Sequence, residues 1–545
     1  MANFLIHRSD GGVSSGQQDR SQETYILKLG DKFNCSIYGD KRTYTLIQEK
    51  EDAILTIGYA SMLDGSSTPK MLMLALETFD ETQIIDLKKK LIGEYVLVVK
   101  KGGNVYVFSD FIGVRNIFYS AEGTLASSSF SLLEDLTGTR VSDFDPYKLN
   151  EFIAMGHSIY PCWLGHATYH RGIHWLRPNE YLVIDIVRGD LRLRSTSFYF
   201  DNTKQSDIST LADDLLSGLH KIIAREEFNQ LQVAASLTGG HDSRLIAAIA
   251  AELYPTLRFR IAASPNNAHS LGDLRVARKL AAVGQIPLDI YWFKPGRDES
   301  RFTDQTEGLS SDFNNTMAPL LDGTGAYSLG LGGAFGTELF MPIRWKSIDE
   351  FIHVKIAKAK RALFVERDFW RTFRDSLYKE FEEIKKHYVL KDYDERDYVR
   401  LFYIAATARY GSFILSAFNQ KGLQLDPYAS YSVLELALRI APDLWGDHRL
   451  LKGNSLVQKV AMAKSNPAMG RVTTYGYNRP MLPLSPRTFP LYLAGYACHI
   501  LDYIVHSKLL RKGSVAKKSP MLSGGSYLSD GWESSFLKRT AEKYG

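Results

Sequence analysis

The run Thr238-Gly239-Gly240-His241-Asp242-Ser243 carries the residue types that a phosphate group needs. Two glycines let the backbone turn and approach a ligand closely, and Thr238 and Ser243 add hydroxyl groups. The amides of Asp242 and Ser243 stand where a helix would begin, so its dipole and free N–H groups favour an anion. A carboxylate beside phosphate oxygens suits a hard cation, which makes Asp242 a candidate magnesium ligand. A helix-starting carboxylate stabilised by the dipole is the other reading of the same residue. The GxxxxGK[ST] spacing and its lysine are absent, so this is not a Walker loop. His241 is read as a solvent or packing residue.

Residues 233–237 are apolar and short enough for a buried strand, and residues 245–250 are apolar and alanine-rich enough for a helix. The loop therefore lies between a strand and a helix. Apolar residues at Ile208, Leu211, Leu215, Leu219 and Ile222 predict an amphipathic helix before that unit. After it come a strand at 257–262, a helix at 273–283 and a strand at 287–292, the alternation of a parallel sheet covered by helices. Such sheets bind ligands at the carboxyl ends of their strands, where the glycine pair falls. Residues 348–441 read as mostly helical. The first 200 or so residues are different in kind. Strand-like runs recur at 3–6, 25–29, 53–59, 95–100, 105–109, 181–186 and 191–194, with hairpin turns at 101–104 and 187–190, and residues 9–23 read as a loop.

A chain of 545 residues exceeds one ordinary core, so more than one domain is expected. Hydrophobic residues at 45%, charged residues at 23% and a net charge of +5 are those of a globular protein with no call for nucleic acid. Cys35, Cys162 and Cys498 are too scattered for a disulfide framework or a zinc site. With no basic region and apolar core at Met1 to Arg8, a cytoplasmic location is expected. Residues 489–505 are apolar but interrupted by Pro490, His499 and Asp502, and the basic run 508–518 follows. That reads as a buried or partner-facing helix rather than a membrane contact.

Several stretches in order resemble the asparagine synthetase superfamily over roughly residues 50–480. The loop resembles the SGGxDS pyrophosphate loop of ATP pyrophosphatases, with Thr238 for the first serine. Residues 91–99 and 107–119 resemble the family's glutaminase-domain core, residues 125–129 its "FASE" strand and residues 173–182 its closing hairpin. Ser264-Pro265 with residues 273–277, then 408–412 and 425–431, resemble "SPDxxxA", "DRxSM" and "VRVPFLDH". The resemblance implies an α+β first domain, an N-terminal-nucleophile (Ntn) hydrolase-like αββα sandwich over residues 1–203. It implies an α/β parallel-sheet ATP pyrophosphatase domain over 204–485, largely helical toward its end, and a helical, basic tail over 486–545. It further implies ATP and Mg²⁺, with Leu237, Thr238, Gly239, Gly240, Asp242, Ser243, Ala262 and Gly333 at the nucleotide.

The family's second loop, "SGxGSDExFGG", corresponds to residues 332–340, where Glu338 is kept but Thr337 replaces an acid. Asp242 and Glu338 are therefore expected to share the metal. Asp242, Glu338 and Arg471, the cation nearest the family's late lysine, are the expected catalytic residues. Ser430 stands for the aspartate of "PFLDH". Ala2 stands where the glutaminase has its nucleophilic cysteine, so no glutaminase activity is expected. The implied activity is an adenylate-forming amide ligase acting on a small-molecule or peptide carboxylate with an amine from an undefined donor; an oligomer is compatible with it. An ammonia-using asparagine synthase and a scaffold or regulatory protein that has lost catalysis stay open as alternatives.

Overall fold

The computed structural model describes residues 3–9, 23–38, 44–65, 83–138, 140–265, 267–294, 320, 329–363, 365–418, 423–445, 456–474, 480–483, 485–494 and 497. It is a mixed α/β structure with antiparallel and parallel sheets. Ala2, Cys498, most of the 9–23 loop and nearly all of the expected tail, including the basic run 508–518, fall outside the described residues.

The first part contains two six-stranded antiparallel sheets. One runs Ile173–Trp175, Phe118–Ser120, Ala126–Ser127, Asn3–Arg8, Phe33–Tyr38, Glu23–Lys28. The other runs Asp190–Ser195, Glu180–Asp185, Asn104–Ser109, Tyr95–Lys101, Asp52–Gly58, Tyr44–Glu49. Alternation decides how they stack. Phe4, Ile6, Cys35 and Ile37 of the first sheet meet Leu55, Ile57, Val96, Val98 and Leu182 of the second in one buried layer. The intervening Leu97 and Val99 face the other way, onto Ile84 and Leu87 of the helix Gln83–Lys90. Leu5 and Phe118 face helices Phe130–Thr137 and Pro146–Ser158 through Phe130, Leu133, Phe152 and Ile153. The layers are helix, sheet, sheet, helix. With both faces covered, residues 95–99 are all buried and read as one apolar run.

The second sheet system has five parallel strands in the order Leu288–Trp292, Arg258–Ala263, Val233–Ser236, Leu329–Leu331, Leu423–Leu425. The chain leaves the central strand Val233–Ser236 to one side and later returns on the other, so the order reverses there. A crevice at the strands' carboxyl ends belongs at such a reversal. The helices Ile208–Ile223, Asp242–Leu253 and Ala268–Gly284 surround the sheet, and Asp207 and Asn267 cap two of them by accepting from free N–H groups. The helices Ile348–Lys360, Arg367–His387, Glu395–Phe418, Tyr431–Arg439 and Leu456–Ser465 make the rest. A short parallel pair, Phe198–Phe200 with Tyr388–Leu390, ties the chain's crossing point to these helices. No helix among the described residues is long and apolar enough to cross a membrane.

Candidate functional site

The glycine loop follows the central strand. Leu237 N donates to Arg260 O at 2.9 Å and anchors the strand's end. Thr238 N donates to Ser243 Oγ at 3.1 Å, and the two hydroxyls lie 2.9 Å apart. Gly240 N reaches Thr238 Oγ1 at 3.3 Å, and Gly239 N donates to Asp273 Oδ1 at 3.1 Å. Successive amides of the loop thus already meet internal acceptors. Gly240 does not have positive φ, so the bend there does not itself call for glycine. A Cβ on Gly240 would meet only the Thr238 hydroxyl, at 3.3 Å, so the glycine leaves the loop's outer face bare.

Asp242 opens the helix Asp242–Leu253. Its Oδ1 accepts from Gln458 Nε2 at 3.0 Å and its Oδ2 from Thr337 Oγ1 at 2.5 Å. Burial pushes its carboxyl above the usual carboxylate range, while these two donors pull it back. The second loop packs directly on this corner. A Cβ on Gly333 would lie 2.6 Å from Ser243 N, and one on Gly336 would lie 2.6 Å from Asp242 Cγ. Asp426, after the last strand, holds Ala334 N at 2.9 Å. The two loops touch at a separation that no side chain would allow.

Glu338 is buried, and its Oε1 accepts from Tyr160 OH at 2.9 Å, a residue of the first part. Burial raises its carboxyl, the Tyr160 hydroxyl lowers it, and the Asp242 charge raises it again. The second-loop side chain bonded to Asp242 is Thr337, not Glu338. Both Asp242 oxygens have donors, and among the described residues no group of three His, Cys, Asp or Glu is placed to hold a metal ion. A two-carboxylate magnesium site does not fit the residues as they stand.

Of the other expected residues, Ala262 is half-buried opposite Tyr291 in the sheet. Arg471 is exposed at the end of the helix Pro467–Arg471. Other cations attend the loop. Arg244 is buried and donates to Gly239 O at 3.4 Å and to Val472 O at 2.5 Å. Lys459 is buried and donates to Tyr492 OH at 3.1 Å. His241 is buried, and burial, then Arg244 and Lys459, hold its pKa well below the ordinary histidine value. Sequence reasoning missed Gln458, Tyr160, Arg244 and the cap from Asp273. Only Asp273 had a signal, at the start of the "SPDxxxA"-like helix stretch; Gln458 is 216 residues from its partner and Tyr160 is 178 from its own.

In the first part, Cys35 lies inside a strand, and burial raises its thiol to about 12. Cys162 is raised to about 12 as well, by burial first. Neither is a nucleophile at neutral pH. A cavity of about 830 Å³ lined by Leu231, Val233, Arg258 and Asp289 opens at the amino ends of the parallel strands, away from the glycine loop.

No protein-family model matches the chain, and no curated protein matches it in sequence. Among solved structures it is similar to a glutamine phosphoribosylpyrophosphate amidotransferase from B. subtilis complexed with ADP and GMP, at 12% identity and a TM-score of 0.20. That match covers 55% of this chain and 64% of the other. A second structure, described as the allosteric regulatory enzyme of purine biosynthesis, is similar at 10% identity over 67% of this chain and 79% of the other, with a TM-score of 0.22.

Proposed function

We propose that the chain is an ATP-dependent amide-bond-forming ligase of the asparagine synthetase type, with an Ntn-hydrolase-like first part that does not hydrolyse glutamine. The observation that carries this is the glycine loop. It sits at the carboxyl end of the central parallel strand, opens a helix and meets a second glycine loop at Gly333, where a Cβ would lie 2.6 Å from Ser243 N. ATP is a substrate in this reading. A carboxylate oxygen attacks its α-phosphorus, pyrophosphate leaves, and an amine then attacks the acyl carbon and displaces AMP with loss of a proton. The chain's part is to hold the leaving pyrophosphate at the start of the helix Asp242–Leu253, whose first amides are donors to developing negative charge, while the bonds among residues 238–240 and their neighbours fix the loop's shape. Leu237, Ala262 and Gly333 are the proposed flank of the nucleotide.

The test is exchange of labelled pyrophosphate into ATP by the purified full chain across a panel of carboxylates. Exchange that depends on one carboxylate and disappears in a folded Gly240→Val protein is the expected result. ATP binding without exchange for any carboxylate favours a nucleotide-binding scaffold, the second reading. That reading is favoured by Thr337, whose hydroxyl occupies an Asp242 oxygen at 2.5 Å.

A further inference from the structure

Each oxygen of the Asp242 carboxylate, at the junction of the two loops, has a side-chain donor from a different element. Thr337 lies on the helix Gly336–Phe340, and Gln458 lies on the helix Leu456–Ser465. Tyr428 adds a longer bond to the Asp242 carbonyl at 3.4 Å. Three separate segments thereby converge on the first residue of the loop helix.

This geometry conflicts with a metal between Asp242 and the second loop. Mg²⁺ takes oxygens at about 2.0–2.1 Å in an octahedron, so two of its ligands are about 3 Å apart at the least. Thr337 Oγ1 donates to Asp242 Oδ2, so that oxygen already meets a proton donor on the side of the second loop. The remaining acid of the second loop, Glu338, accepts from Tyr160, whose ring stacks on Tyr410 with centroids 5.1 Å apart.

Resting on the reading of the loop as a pyrophosphate site, we propose that Thr337 and Gln458 take the metal's place at Asp242. Their neutral donors clasp the two loops and the helix Leu456–Ser465 together, and the free chain holds no divalent cation there.

The experiment measures Mn²⁺ binding to the nucleotide-free full chain by electron paramagnetic resonance, with thermal melting in parallel. The natural chain is expected to leave the free Mn²⁺ signal unchanged, and Thr337→Asp, which restores a second carboxylate, to take up one equivalent. Thr337→Val and Gln458→Leu are each expected to lower Tm without changing the Mn²⁺ signal. Stoichiometric Mn²⁺ on the natural chain that Asp242→Asn removes overturns the proposal. So does a folded Thr337→Asp protein that takes up no metal, or an unchanged Tm in both clasp variants. Pyrophosphate exchange reports on the ligase reading separately, since none of these measurements contains nucleotide.

Discussion

Glycine has opposite meanings at two positions of the site. At Gly333 an added Cβ would meet Ser243 N at 2.6 Å, Ser243 Cα at 2.7 Å and the Asp242 carbonyl carbon at 2.9 Å, all backbone atoms at a helix start. Backbone there cannot yield as a flexible side chain would, so Gly333→Ala is expected to cost about 1–3 kcal/mol. At Gly240 the added Cβ meets a single hydroxyl at 3.3 Å, and Gly240→Ala should stay within about 0.5 kcal/mol of the natural chain. Urea unfolding of the two variants checks the contrast, and equal stabilities would show that the loops are not held at this distance. Both glycines are conspicuous in the sequence, but only the folded contact tells which is structural. The same holds for Glu338: its survival in the second loop is legible, while its bond to Tyr160 comes from a residue 178 positions away.

At the level of elements, the parallel sheet is fastened from within by a buried arginine. Arg260 is inside the strand Arg258–Ala263, reaches Ser236 Oγ on the central strand at 3.2 Å and Gln424 Oε1 on the far strand at 2.8 Å. It passes Gly330, where a side chain would collide with it. Removing the guanidinium leaves Gln424 short of a donor in the core, so Arg260→Met is expected to lose about 1–3 kcal/mol. A denaturation midpoint unchanged from the natural chain would deny the arginine this role. Burial keeps its own pKa down, to about 10, so it stays charged at neutral pH. The strand itself is legible from its apolar residues, found at Arg258–Ala263 against an expected 257–262, because hydrophobic runs report burial. The helix expected at 273–283 starts earlier, at Ala268, because Asn267 caps it. Strands Phe33–Tyr38 and Tyr44–Glu49 escaped the sequence reading for a physical reason. Asn34, Cys35 and Ser36 dilute the first, and the second is an edge strand with no fully buried residue. Short pairs such as Phe198–Phe200 with Tyr388–Leu390 depend on partners far along the chain, which no local pattern encodes.

Across the whole molecule, the first part and the helices behind the parallel sheet are joined by a buried Arg–Glu–Arg cluster. Glu380 on the helix Arg367–His387 accepts from Arg177 Nη2 at 2.8 Å and from Arg409 Nη2 at 2.5 Å, and Gly165 N adds a bond at 2.9 Å. Arg409 also donates to Trp163 O at 2.8 Å and lies 4.4 Å over the Trp175 ring. Burial alone would raise the Glu380 carboxyl, but the two guanidinium groups outweigh it and hold it at about 2. An unfolded glutamate titrates near about 4.3, so the folded value is the lower one. The sign follows: the contribution is fully present above about pH 4.3 and is lost as pH falls through about 2. Glu380→Gln keeps the shape but leaves two buried cations without their shared counter-charge, and the expected loss at neutral pH is about 3–5 kcal/mol. A second consequence separates charge from packing. The natural chain should lose Tm on acidification below about pH 4.3 more steeply than the Gln variant does, because the variant has no proton to take up at this position. Parallel slopes for the two proteins would mean that Glu380 titrates in the folded chain as it does in the unfolded one, and the cluster would then be no ionic joint between its two halves.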